Sequence, residues 1–266
     1  MSKEDEVLVA VENRIKTITI NLPKRRNALD PENAYKMALE VEKSADDGTR
    51  VLILTGQGGA FCAGADLRGE KVTRAMSKGA LLEEELHEML DTTYHRLMRA
   101  IYDLPRPVIA AVEGAAAGVG CSLALNADIT LASSTAYFIQ VFMNIALITD
   151  GGSAYTLPKL IGMKKAMEMV LTGDPVSADE ALRMNMINRV YPPEELMQET
   201  WKWACRFAEG PVDSMGVAKR TLHEAQQMDF KESLDLECRR QARLMTKPDF
   251  LNAVLSFLQK KKPTFS

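Results

Sequence analysis

This chain has no run of apolar residues approaching the roughly 20 needed to cross a bilayer as a helix, because Glu113 and Asp128 interrupt the longest candidates. It has no excess of basic charge either. A formal net charge of −3, with acidic and basic residues mixed along 266 positions, supplies no field for a duplex and argues against nucleic acid as the main partner. The four cysteines, Cys62, Cys121, Cys205 and Cys238, lack metal-type spacing, so no metal site is expected. The opening Met1-Ser-Lys-Glu-Asp-Glu lacks the apolar segment of a secretory leader. Reduced thiols, a cytoplasmic location and no membrane partner are the expectation. Repeats of solenoid period and low-complexity tracts are missing too. What the sequence does have is 46 % hydrophobic residues, ample for one α/β unit or two modest domains.

Those residues are patterned. Val7-Leu-Val-Ala-Val-Glu and Ile15-Lys-Thr-Ile-Thr-Ile-Asn alternate around turn residues and predict an opening hairpin. Asp30-Pro-Glu-Asn is a helix start, with an N-cap and Pro at the first position, before a helix to about Lys43. Val51–Thr55 is apolar on both faces, as in a parallel sheet covered on both sides. One long helix is expected from Ala80 to Tyr102, stopped by Leu104-Pro-Arg-Pro. After Gly162 the pattern is almost wholly helical. The expected division is a sheet-rich part, residues 1–195, and a helical part, residues 196–266.

Two glycine-bearing loops stand out, each following an apolar run. Val51-Leu-Ile-Leu-Thr-Gly leads to Ala60-Phe-Cys-Ala-Gly-Ala-Asp-Leu67, and Val108-Ile-Ala-Ala-Val-Glu leads to Gly114-Ala-Ala-Ala-Gly-Val-Gly-Cys121. Each reads as a buried strand, a tight turn and a helix start, and so aims backbone N–H groups at one point. Two converging donors can stabilise negative charge developing on an acyl oxygen. The plainer reading, that the glycines only make turns and allow close packing, holds for either loop alone better than for the pair.

Together with Asn27-Ala-Leu, Leu171-Thr-Gly and the ending Phe257-Leu-Gln-Lys-Lys-Lys-Pro, these loops resemble the crotonase, or enoyl-CoA hydratase/isomerase, superfamily, in the right order over nearly the whole chain. The resemblance implies an α/β fold, a spiral of ββα units with a helical C-terminal trimerisation region. It also implies an acyl-CoA thioester substrate, no permanently bound cofactor, coenzyme A entering only as part of the substrate, and a homotrimer or a hexamer of two trimers. By position the oxyanion donors would be the N–H groups of Ala65 and Val119, the second standing where most relatives have glycine.

The superfamily's hydratases use two glutamates, which here fall on Ser122 and Phe142. Without those carboxylates ordinary hydration is disfavoured. Asp150, at a place where isomerases carry an aspartate, is the catalytic candidate. Walls formed by Phe138, Phe142, Ile145 and Leu147 would strip its hydration and raise its pKa. A helix N-cap is the structural alternative. Aryl-CoA dehalogenases of the superfamily pair such an aspartate with a histidine on the preceding helix and a tryptophan where Phe142 falls; His95 counts about one helical turn from that place. The resemblance further assigns coenzyme A contacts to Arg25 and Arg26, to Ala63, Asp66 and Leu67, and to Lys260 and Lys261 of the basic ending, in some relatives from a neighbouring subunit. Cationic stems suit phosphate oxygens. The expectation is a double-bond isomerase acting through a thioester enolate. Hydration or other lyase chemistry, and a non-catalytic CoA-binding scaffold, are the alternatives. Val141, Phe142, Tyr155 and a cover at Arg68–Gly79 would shape the acyl pocket.

Overall fold

β1 (Val7–Glu12) and β2 (Ile15–Ile20) pair antiparallel in the computed structural model, which describes residues 5–68 and 83–266. Their turn residues Asn13 and Arg14 lie at φ 51° and 63°, the left-handed pair whose twist matches that of a hairpin. Asp30 caps α1 (Pro31–Lys43) by accepting the Asn33 amide, with Pro31 at the first helical position. β3 (Val51–Gly56) then joins β2 in parallel.

The expected long helix is two helices, α2 (Glu83–Thr92) and α3 (Tyr94–Asp103), interrupted at Thr93 with φ −119° and ψ −88°. β4 (Val108–Val112) follows, then β5 (Ala115–Ala117), α4 (Val119–Leu125), β6 (Ile129–Ser133) and β7 (Tyr137–Ile139). A short 3-10 turn spans Val141–Ile145. α5 (Ser153–Thr172) bends at Gly162 and is closed by Gly173 at φ 64°. Beyond it lie β8 (Val176–Ser177), α6 (Ala178–Arg183) and β9 (Arg189–Tyr191), two strands in a stretch whose pattern predicted helix almost throughout.

The main sheet runs β1-β2-β3-β4-β6-β9 and is parallel from β2 onward; a second sheet runs β5-β7-β8. The chain visits the sheets alternately, β4 then β5 and β6 then β7, as a ββα spiral requires. Alternation along the strands divides the core. Leu52, Leu54, Ala110 and Val112 face α1 and α3 with Met37, Val41, Leu97 and Ile101. Val51, Ile53, Ile109 and Ala111 face Leu196 and Ala204 of α7 (Pro193–Ala208). Both faces of the parallel sheet are covered, as the apolar run at Val51–Thr55 predicts.

Three helices complete the chain: α8 (Val212–Ala225), α9 (Phe230–Met245) with a capping box between Asp229 and Glu232, and α10 (Pro248–Leu258). Only Leu236 is buried in α9 and nothing in α10, so Phe230, Phe257 and Leu258 stand more than two-thirds exposed. No helix among the described residues is long and apolar enough to cross a membrane.

Candidate active site

The exit ends of β3 and β4 carry the two glycine loops, and the backbone zips them together. The Cys62 amide donates to the Ala115 carbonyl and the Ala117 amide to the Cys62 carbonyl, each at 2.9 Å. Gly120 permits the closest approach, since a Cβ there would lie 2.2 Å from the Cys62 carbonyl oxygen. Asn27, fully buried, holds the first loop from below: its side-chain amide donates to the carbonyls of Gln57 (2.9 Å) and Ala60 (2.5 Å), and its oxygen accepts the Leu22 amide (2.8 Å).

Several amides in these loops are spent. Those of Cys62, Ala63 and Asp66 donate to Ala115, Arg26 and Leu29, and that of Gly118 donates to Ile139. The amides of Ala65 and Val119 donate to no protein acceptor among the described residues. Val119 opens α4, where first-turn amides have no intrahelical partner, and Ala65, exposed, follows Gly64 at φ 107°. A Cβ on Gly118 would touch Val141 at 3.3 Å and Phe142 at 3.7 Å, which places those two side chains beside the second amide.

Asp150 is tied to the same helix. The Ser122 hydroxyl lies 2.7 Å from the Asp150 carbonyl and 3.2 Å from the Gly118 carbonyl. The Asp150 side chain does not cap α5; Gly152 takes that position without a side-chain bond. The expected apolar enclosure is not there. Ile145 and Leu147 are about half exposed, and the Asp150 side chain keeps 30 % of its accessibility. What meets the carboxylate is a polar partner instead: His95 Nε2 lies 2.7 Å from Oδ1. The sequence count put His95 about one helical turn from such a place; in the structure it reaches the carboxylate. α3 buries Tyr94, Leu97, Met98 and Ile101, and with that face turned to the core His95 meets Asp150. Oδ2 has no hydrogen-bond partner among the described residues.

The residues assigned to coenzyme A divide into two groups. Arg25, Arg26, Ala63, Asp66 and Leu67 lie together, the Ala63 amide bonded to the Arg26 carbonyl and the Arg25 guanidinium 2.7 Å from Asp66 and 3.1 Å from Glu6. Burial pushes the Asp66 carboxyl up, but the bonds from Arg25 and the Arg68 amide outweigh it and hold the group below its ordinary value. Lys260 and Lys261 are elsewhere. Lys262 pairs with Glu209, and Arg50, at the start of β3, bonds to the carbonyls of Ala208, Gly210 and Ser266. The basic run is therefore tethered at the starting ends of the strands, across the sheet from the loops.

Tyr155 also departs from the expected pocket. It lines a cavity of about 580 Å³ with Tyr102, Asp128, Lys159, Lys219 and His223, separate from Ala65, Val119 and Asp150. The expected cover lies, beyond Arg68, outside the described residues. No group of three or more metal-ligating side chains occurs among the described residues.

The arrangement of two unspent amides on locked loops, with a carboxylate on an adjoining loop, can hold an anionic oxygen and move a proton beside it. The chain is also similar to known proteins along its length. A protein described as a probable enoyl-CoA hydratase from Rhodobacter capsulatus is 35% identical over 249 residues, 94% of this chain and 93% of the relative. The 1,2-epoxyphenylacetyl-CoA isomerase of Escherichia coli is 34% identical over 263 residues, 98% of each chain. The crystal structure of an enoyl-CoA hydratase from Mycobacterium smegmatis superposes with a TM-score of 0.89 at 28% identity, covering 98% of both chains. The enoyl-CoA hydratase/isomerase profile matches residues 10–266, and with both glycine loops inside that span the chain belongs to this family.

Proposed function

We propose that the protein is an acyl-CoA isomerase that moves a carbon–carbon double bond through a thioester enolate. The observation that carries this reading is the single carboxylate, Asp150, beside two unspent amides, with a serine and a phenylalanine where hydration would need glutamates. In the proposed reaction Asp150 Oδ2 takes a proton from the carbon next to the thioester carbonyl. The Ala65 and Val119 amides hold the enolate oxygen, each contributing about 3 kcal/mol to its formation. The protonated carboxyl returns the proton at the γ-carbon, so one group serves both transfers and no net proton is exchanged. Val141 and Phe142 flank the acyl group.

Coenzyme A is read as lying against Arg25, Arg26, Ala63, Asp66 and Leu67. Because Lys260 and Lys261 sit across the sheet, their contribution comes from a neighbouring copy. The exposed apolar faces of α9 and α10 support assembly as a homotrimer or a hexamer of two trimers, with residues 196–266 as the assembling region and 1–195 as the acyl-CoA-binding part. The His95–Asp150 contact favours one rival, displacement at an aromatic acyl-CoA ring; Phe142 in place of tryptophan speaks against it.

The test compares wild type and Asp150→Asn on 3-enoyl-CoA isomerisation, trans-2-enoyl-CoA hydration and halide release from a halobenzoyl-CoA. Isomerisation lost in the variant is the expected result. Hydration or halide release exceeding isomerisation in wild type, or full isomerisation by the variant, overturns the proposal.

A further inference from the structure

Below the reacting groups lies a buried line of polar side chains that the proposed chemistry does not touch. Thr149 Oγ1 donates to Gln140 Oε1 at 2.7 Å, and Gln140 Nε2 donates to Ser153 Oγ at 3.1 Å. Ser153 Oγ lies 2.7 Å from Ser122 Oγ, and Ser122 Oγ 2.7 Å from the Asp150 carbonyl. Gln140, Ser153 and Ser122 are all fully buried. A hydroxyl has one proton to give. The Asp150 carbonyl can only accept, so Ser122 donates to it and must accept from Ser153, which in turn accepts from Gln140. The direction of every bond is thereby fixed, and the line starts and ends on consecutive residues, Thr149 and Asp150.

A second fastening lies one turn along. Asn126 Nδ2 donates to the Gly151 carbonyl at 2.7 Å and to the Ser122 carbonyl at 2.9 Å. Gly151, at φ 65°, passes so near that an added Cβ would lie 2.8 Å from the Ser122 Cβ. Val119, Ser122 and Asn126 are spaced i, i+3 and i+7, one face at helical periodicity.

We propose that Ser122 and Asn126 are positioning residues that fix Asp150 relative to the Val119 amide, with α4 as the common support; this rests on the reading of Asp150 as the base. One short helix then carries the oxyanion donor and both anchors of the loop bearing the carboxylate, so the separation of donor and base is set by helix geometry rather than by loop conformation. Such preorganisation acts on the reacting geometry and leaves substrate binding alone.

The experiment measures Ser122→Ala, Ser122→Cys, Asn126→Ala and Thr149→Val, the last removing only the half-buried first donor. Each is assayed for isomerisation, thermal midpoint and the His95 ring proton resonances, which only three histidines make assignable. In Ser122→Ala and Asn126→Ala, kcat falls roughly 10- to 100-fold, the range for a reacting group displaced by up to about 1 Å, with KM unchanged. Cysteine at 122 recovers part of the loss. The His95 resonances move toward their positions in Asp150→Ala, because the loop no longer holds the carboxylate in place. A lowered midpoint with wild-type kcat and unmoved His95 resonances shows an ordinary structural role and overturns the proposal. If wild type isomerises nothing, the base assignment fails, while the His95 resonances still decide whether Ser122 and Asn126 hold residue 150.

Discussion

Gly120→Ala offers a sharp test of the locked loops. Gly120 is the second residue of α4 and has an ordinary helical backbone, so alanine brings no conformational strain there. By helix propensity alone the change would stabilise by about 1 kcal/mol. The opposing contact is severe: the new Cβ would meet the Cys62 carbonyl oxygen at 2.2 Å and the Cys62 Cβ at 2.7 Å, where real Cβ atoms essentially never come under 3.0 Å. Backbone has no alternative rotamer, so the loops must part by at least 0.8 Å. Overpacking of this kind costs roughly 1–3 kcal/mol, which leaves a net loss of stability of up to about 2 kcal/mol. Activity falls further, because the displacement separates the two amides proposed to share one oxygen; about 100-fold in kcat, or roughly 2.7 kcal/mol, is the expected loss for a shift near 1 Å. The assay is isomerisation of a 3-enoyl-CoA beside thermal unfolding. Gly216→Ala in α8 is the control, since its Cβ would meet the Pro105 carbonyl oxygen at 2.4 Å, away from the site. It should lose stability and keep its kcat. If Gly120→Ala retains kcat within about twofold, the loops do not act as one unit and the reasoning from preorganisation fails.

Asp66 predicts a pH dependence. Its folded value lies below the ordinary one, so its stabilisation is in place above the unfolded carboxylate range near pH 4 and is lost as pH falls through the lower folded value. Arg25→Ala should cost about 1–2 kcal/mol at pH 7, modest because the guanidinium is partly exposed, and little near pH 2. Urea titrations at both pH values check this, and an equal loss at each refutes it. The thiols give another outcome. Burial pushes both Cys62 and Cys121 up to about 12, while Cys238 is exposed. Iodoacetamide with mass spectrometry should label Cys238 in the folded protein and the two buried residues only on unfolding.

Much of the framework was legible because it rests on local chemistry. The Asp30-Pro31 cap, the two-faced apolar strand at Val51 and the paired glycine loops each state their structure within a few residues, and their order carries the family resemblance. The acid partner was less legible. The contact of His95 depends on how α3 packs and where the Asp150 loop passes, both long-range, and the break at Thr93 before it has no strong breaker like proline or glycine. Ile145 and Leu147 misled for a related reason: apolar side chains were expected to wall the carboxylate, but in a single chain they face outward. The C-terminal lysines matched in sequence, yet their distance from the loops depends on the route of α8 to α10, which local pattern does not encode. The line from Thr149 to Ser122 was hidden because serine, glutamine and threonine carry no distinctive spacing until the fold closes it.

The interruption at Thr93 has a consequence of its own. Because α3 starts afresh after Thr93, its rotation about its own axis is set by Tyr94, Leu97, Met98 and Ile101, all buried, and not by α2. A residue inserted or removed in α2 is absorbed at the joint, and His95 keeps its contact with Asp150. The segment ahead of the joint is thus free to change length without disturbing the group that meets the carboxylate, whereas exchange of residue 95 alone changes that group and leaves the sheet and the cores as they are.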